Sequence, residues 1–260
     1  MVETKIELPK SITTAERVNP NTMILFGAPK VGKSSIVATL PNHLMIDYEN
    51  GSGFIDAVKI SPPEDLGHVG KFNWLKDLAK EIKAQGKPYS YIIVDTISEL
   101  DNSAEWVGTW NYMNSVQGKG FNRTEKGGEM LKPTDPNYLS VHTLADGYGY
   151  RWSRAALMDI FDTLSGLGSI CTIFIAHMGE KYYSKTVGTE VVTKFIDLTG
   201  KAKDIIARKV DCIGYVYNEE GKVMVSFKGN EDRQGGNRAK HLVGFEGPLD
   251  WSSIFIKEKE

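Results

Sequence analysis

Between residues 27 and 35 the chain reads Gly27, Ala28, Pro29, Lys30, Val31, Gly32, Lys33, Ser34, Ser35. Glycines at the two ends of such a loop let main-chain N–H groups turn toward one point, Lys33 adds a full positive charge there, and hydroxyls follow. That set suits a polyphosphate: amides from Gly27 to Ser35 and the Lys33 ammonium on phosphate oxygens, and Ser34 on a hard cation such as Mg²⁺. A plain glycine turn with an exposed lysine is the alternative. The context argues against it, because the pattern lies between the apolar run 22–26 and a helical stretch, 33–40, that Pro41 stops.

Three further positions offer polar groups at the ends of apolar runs, where ligands gather in open α/β sheets. Asp95 closes the run 91–94 and can hold the metal's water shell beside the phosphate loop; capping a helix is its other use, one that Thr96 serves equally well. Asp47 and Glu49 close the run 44–46, and one of them can orient or deprotonate an attacking water. Glu49 is the choice for that base, with capping of the turn 50–53 as the alternative. His177 follows the run 173–176 and can contact the outermost phosphate.

The elements needed to position these groups alternate along the chain. Phe72, Leu75, Leu78, Ala79 and Ile82 recur at helical spacing before the strand 91–95, and Leu157, Ile160, Phe161, Leu164 and Leu167 do so before the strand 169–176. A last strand, 212–217, turns through 218–221 into 222–227, an edge hairpin. Alternation of this kind predicts an α/β fold, a mostly parallel twisted sheet with helices on both faces. Residues 1–21 read as an arm whose stretch 5–8 alternates like a strand for subunit contact, 22–245 as one domain, and 246–260 as a tail. The stretches 115–150 and 178–200 break the alternation and are long for structureless loops.

Composition narrows the classes. With 260 residues, 41% of them hydrophobic, the chain can bury a large core, and a net charge of −2 excludes a uniformly basic coat. Cys171 and Cys212 sit in apolar runs without metal or disulfide spacing, so reduced buried thiols are expected. The first residues mix charges and no run has the length of a membrane span, which predicts a cytoplasmic protein. No Asn-Lys-x-Asp string for guanine is present, so adenine is the expected base.

In order, the phosphate loop, the stretch 46–49, the stretch 92–95 and the stretch 173–177 resemble the core of RecA-type P-loop ATPases. The chain looks most like the short phage RecA-like proteins linked to single-strand annealing and recombination. The resemblance implies a RecA-like fold, ATP and Mg²⁺ as ligands, Glu49 as the catalytic base, Lys33 on the phosphates, and Ser34 and Asp95 on the metal. It also implies His177 as the γ-phosphate sensor, where full-length recombinases more usually carry glutamine. In such proteins the two awkward stretches are loops facing single-stranded DNA, here with Lys181, Tyr182, Tyr183, Lys185 and Lys194 in the second and Lys119, Phe121, Arg123, Lys126 and Lys132 in the first. Cations beside rings suit unpaired strands. Lys228, Arg233 and Arg238 are candidates to reach a neighbouring subunit's nucleotide, which implies a homo-oligomer, filament or ring; a single-strand DNA-binding protein is a natural companion. Two other readings use the same loop: a small-molecule kinase with Arg151 and Arg154 as lid residues, and a nucleotide-gated assembly protein without turnover.

Overall fold

A computed structural model describes residues 8, 10–124, 128–186 and 189–257, without the side chains of 183–186 and 189–191. The apolar runs form the centre of a ten-stranded sheet. Strands β1 (Thr22–Gly27), β2 (His43–Asp47), β3 (Lys59–Ile60), β4 (Tyr91–Asp95), β5 (Cys171–Thr186) and β7 (Cys212–Glu219) run parallel, in the spatial order β7-β1-β5-β4-β2-β3. Antiparallel strands β8 (Lys222–Ser226) and β10 (Glu246–Pro248) extend the β7 side, and β9 (Gly236–Asn237) pairs with the start of β7. Glu220 and Gly221 both have positive φ, 51° and 81°, the geometry a tight β7–β8 hairpin requires.

Because successive residues of a strand point to opposite faces, each central strand feeds two cores. Ile24, Phe26, Ile92, Val94 and Phe174 pack under α2 (His68–Ala84), α3 (Ile97–Met113), α4 (Tyr150–Leu164) and α5 (Ala202–Lys209). Met23, Leu25, Ile93, Ile173 and Ile175 pack on the other face under α1 (Lys33–Val37) and α6 (Trp251–Ile254). Helices therefore cover both faces, as the alternation predicts.

Three expectations need correction. The stretch 178–200 is no open loop: β5 continues past the sheet to Thr186 and pairs antiparallel with β6 (Thr189–Ile196), from Met178↔Ile196 out to Thr186↔Thr189. Its aromatic and β-branched residues favour extended backbone, which explains the ribbon. Residues 246–257 are no tail. Glu246–Pro248 adds a strand, Leu249 and Ile254 are buried, and the Trp251 Nε1 group donates to Ile36 O (3.1 Å) and Thr39 Oγ1 (3.0 Å), tying the C-terminal segment to α1. The arm, too, is fixed at its base: Asn19 exchanges hydrogen bonds with the main chain of Ile256, 2.8 and 2.9 Å, whereas residues 10–18 are exposed. The expected strand 5–8 lies outside the described residues except for the exposed Leu8. Among its described residues the stretch 115–149 is irregular, with short 3₁₀ turns at Val141–Thr143 and Ala145–Gly147.

Candidate active site

The glycine loop leaves β1 beside β7 with no room for side chains. A Cβ on Gly27 would lie 2.2 Å from the carbonyl oxygen of Val216, and Gly32 turns at φ 96°, a left-handed conformation glycine adopts freely. The turn brings Lys33 back over the loop, where its buried ammonium donates to Gly27 O (2.9 Å) and Ala28 O (2.8 Å). Burial pushes the Lys33 pKa down, while the carboxylates of Asp95 and Glu49 hold it up. An arriving anion would replace those carbonyls as its partner.

Sheet register sets the remaining groups. Asp47 lies opposite Asp95, Asp95 opposite Ile175, and Gly27 opposite His177, so β1, β2 and β4 end beside residues 175–177 of β5. Asp95 is 5% exposed and shares its cavity with Ser34. Burial raises its pKa; Glu49 and Asp47 push the same way, against the Ser34 hydroxyl and the Lys33 charge. A carboxyl so placed gains from a bound cation. Asp47 serves the turn: its oxygens accept from the N–H groups of Gly51 and Ser52 (both 3.1 Å) and from the Ser52 hydroxyl. Glu49 is instead held by its main chain, whose N–H donates to Asp95 O (3.1 Å), and its carboxylate is half-exposed, 3.6 Å from His177 Nε2.

These side chains line one cavity of about 370 Å³, bounded by Pro29, Lys30, Lys33, Ser34, Glu49, Asp95 and His177. Ala28, Val31 and Gly32 shape the loop from behind, and Ser35 is exposed outside the lining. Among the described residues no three His, Cys, Asp or Glu side chains converge as a metal cage. The Ser34 hydroxyl beside the Asp95 carboxylate is a pair of hard oxygen donors, which fits Mg²⁺, an ion that fills its shell with phosphates and water.

One member was not signalled by the sequence. Ser98, in the first turn of α3, accepts the His177 N–H at 3.0 Å and donates to Asp197 O at 3.1 Å, while Asp197 N–H donates to His177 O at 3.1 Å. His177 is thus clamped where the β5–β6 ribbon departs. Thr96 caps α3 by accepting the Glu99 N–H at 3.2 Å, and so takes the capping role left open for Asp95.

The more distant candidates do not gather as expected. Lys181 and Tyr182 are exposed on the ribbon; the side chains of Tyr183 and Lys185 lie outside the described residues, as does Lys126. Lys194 turns inward, its Nζ 3.2 Å from the Tyr215 hydroxyl and 5.2 Å over that ring. Arg123 donates to the carbonyls of Lys119 and Gly128, and Phe121 packs edge-on against Tyr112. Lys228 and Arg233 both hold Glu246, at 3.3 and 2.7 Å. Arg238 pairs with Asp211 at 3.3 Å, and Asp211 accepts from the N–H groups of Asn21 and Thr22 at the opposite end of β1 from the loop. Arg238 therefore does not cluster with the other two. Arg151 stacks over Tyr148 and Trp152 and does not line the cavity. Burial holds the Cys171 thiol well above its usual range and pushes Cys212 to about 12, as expected of structural thiols.

A glycine loop leaving the first strand, with a buried strand-end carboxylate one strand removed that shares the cavity of the loop serine, defines a P-loop nucleoside triphosphatase. The chain matches the AAA domain family over residues 19–239, and it belongs to that family. Among solved structures it is similar to a prototypical ATPase from the type III secretion system of pathogenic bacteria, with a TM-score of 0.41 and 13% identity over 76% of this chain and 51% of that chain. The chain thus spans about half the length of that structure. No curated protein matches it. No helix among the described residues is long and apolar enough to cross a membrane.

Proposed function

We propose that the chain is a Mg²⁺-dependent ATPase of RecA-like type that assembles as a homo-oligomer on single-stranded DNA and acts in phage-type recombination or strand annealing. The observation that carries the catalytic part is the single cavity shared by Lys33, Ser34, Glu49, Asp95 and His177. Lys33 exchanges its loop carbonyls for phosphate oxygens, and the loop amides hold the rest of the triphosphate. Ser34 and Asp95 hold Mg²⁺, which when bound neutralises charge on the outer phosphates. Glu49 orients a water in line with the terminal phosphorus and accepts its proton as the water oxygen bonds to that phosphorus and the bond from the phosphorus to the β–γ bridging oxygen breaks, the electron pair leaving with ADP and giving ADP and phosphate. His177 contacts the γ-phosphate, and its 3.6 Å approach to the Glu49 carboxylate lets either group respond to the other.

The DNA part is supported by the ribbon that leaves His177 and carries the exposed Lys181 and Tyr182. Lysines that follow phosphates beside rings that stack on bases bind unpaired strands with little sequence preference. Arg233 or Lys228 reaches a neighbouring copy's nucleotide once released from Glu246, and a single-strand DNA-binding protein accompanies the strand. ATP turnover with and without single-stranded DNA over a salt series tests both halves. DNA binding that weakens steeply with salt is expected. Turnover that Glu49→Gln leaves intact would overturn the catalytic assignment, and salt-independent or absent DNA binding would overturn the other.

A further inference from the structure

A second hollow, of about 400 Å³, lies between the start of α2, the second half of α3 and the segment 133–138, and shares no residue with the phosphate cavity. Its walls are rings from three separate stretches of chain. Trp106 stacks on His68 (centroids 6.2 Å, planes 25° apart) and meets Tyr138 at a tilt (6.0 Å, 32°). Trp110, one helical turn on from Trp106, borders the same hollow and is 41% exposed. A Cβ built on Gly67 would meet nothing within 4 Å, so the space extends to the α2 backbone. The His68 ring is set by its Nδ1, 3.1 Å from Ser103 Oγ.

Among the described residues, no carboxylate lines the hollow. The exposed Lys132 precedes Pro133 at one side of the hollow, while Lys71, one turn on from His68, holds its ammonium 5.8 Å over the Tyr48 ring. Carboxylates lie nearby as well: Glu99 accepts from Asn102 at 3.0 Å, Glu105 lies 3.5 Å from His142, and Asp135, between Pro133 and Tyr138, accepts from the Asn137 N–H at 2.8 Å. A large exposed aromatic ring in a concave apolar site with few polar groups is the making of a site for a flat ligand.

We propose that this hollow binds an unpaired nucleobase, stacked on Trp110 beside the ring cluster of Trp106, with Lys132 toward a flanking phosphate. The source of the base rests on the single-strand reading above; the chemistry of the pocket does not. In single-stranded DNA bound along the ribbon, the same helix α3 that clamps His177 through Ser98 would hold a base further along its length.

The test is a titration of the full chain, followed by tryptophan fluorescence and by anisotropy of a labelled short oligothymidylate. Thymidine, which has no phosphate for the glycine loop, is the second probe. Stacking on an aromatic contributes about 1–3 kcal/mol per base, so Trp110→Ala is expected to weaken oligothymidylate binding by roughly 5- to 150-fold, with Trp110→Phe recovering most of it. Tyr138→Ala should act in the same direction, and thermal melting of each variant checks that it is folded. If the oligothymidylate binds the wild-type chain and Trp110→Ala equally, the pocket proposal is overturned while DNA binding stands. If it does not bind but thymidine does, in a Trp110-dependent way, the pocket stands with a free nucleoside as its ligand and the DNA reading fails. Binding of neither, or quenching by a proline-rich peptide alone, overturns the proposal.

Discussion

Gly27→Ala tests the architecture of the phosphate loop with the smallest possible change. The added methyl would lie 2.2 Å from Val216 O and 3.2 Å from its carbonyl carbon. Ordinary contact needs about 1 Å more than the shorter of these distances allows. β7 cannot readily give that room, because it is paired with β1 on one side and β8 on the other. The loop must move instead, by about the 1 Å that, for a catalytic group, costs on the order of 100-fold in rate. The crowding itself destabilises the fold by about 1–3 kcal/mol. Gly53→Ala is the matched control, since its Cβ meets nothing within 4 Å. Steady-state phosphate release at saturating ATP, with calorimetric ATP affinity alongside, should fall about 100-fold for Gly27→Ala and hold within twofold for Gly53→Ala. Gly27→Ala turning over within threefold of wild type would refute the claim that the loop is fixed by close approach to β7.

Glu49→Gln should lower turnover by about 10²–10⁴-fold in a phosphate-release assay while ATP affinity stays within a few-fold, because the side chain is assigned to the water and not to the nucleotide. Asp95→Asn should abolish Mg²⁺-dependent turnover yet raise the melting temperature of the ligand-free chain. The folded Asp95 pKa lies above the unfolded one, so its ionisation opposes folding as pH rises through that window; the gain should be present at neutral pH, vanish below the ordinary Asp range, and be visible in melts across pH. Trp251→Ala removes the clasp on α1 and should cost about 2 kcal/mol, lowering the melting temperature by roughly 4–8 °C in calorimetry. Cys171 and Cys212 should resist a thiol reagent at mildly alkaline pH in the folded chain and react only at the rate of unfolding.

The parts legible in the sequence are those whose signal is local. The runs leading to Asp95 and His177 are short, apolar and buried on both faces, and a polar residue follows each, so pattern and position arrive together. α3 was hidden because its buried positions include Ser98, Asp101, Ser103 and Thr109, which interrupt the apolar period. These polar groups are tolerated because partners distant in sequence satisfy several of them: Asp101 accepts the Thr199 N–H at 2.6 Å, and Thr109 accepts the Val141 N–H at 2.9 Å. The same reason concealed the clamp on His177. Asp47 and Glu49, two residues apart, were separable only once the turn was seen to use the Asp47 oxygens. The inward turn of Lys194 and the hold of Glu246 on Arg233 and Lys228 arise from contacts between elements far apart in sequence, which spacing does not encode.

Calorimetric titration of ATP in the presence of Mg²⁺ into the wild-type chain and into Lys33→Ala reaches the central claim most directly. Saturable, one-to-one heat for the wild type, reduced at least 100-fold in affinity when Lys33 is lost, is the expected result. Equal affinity of the two chains, or no binding by either, would contradict the assignment of the glycine loop as the triphosphate site.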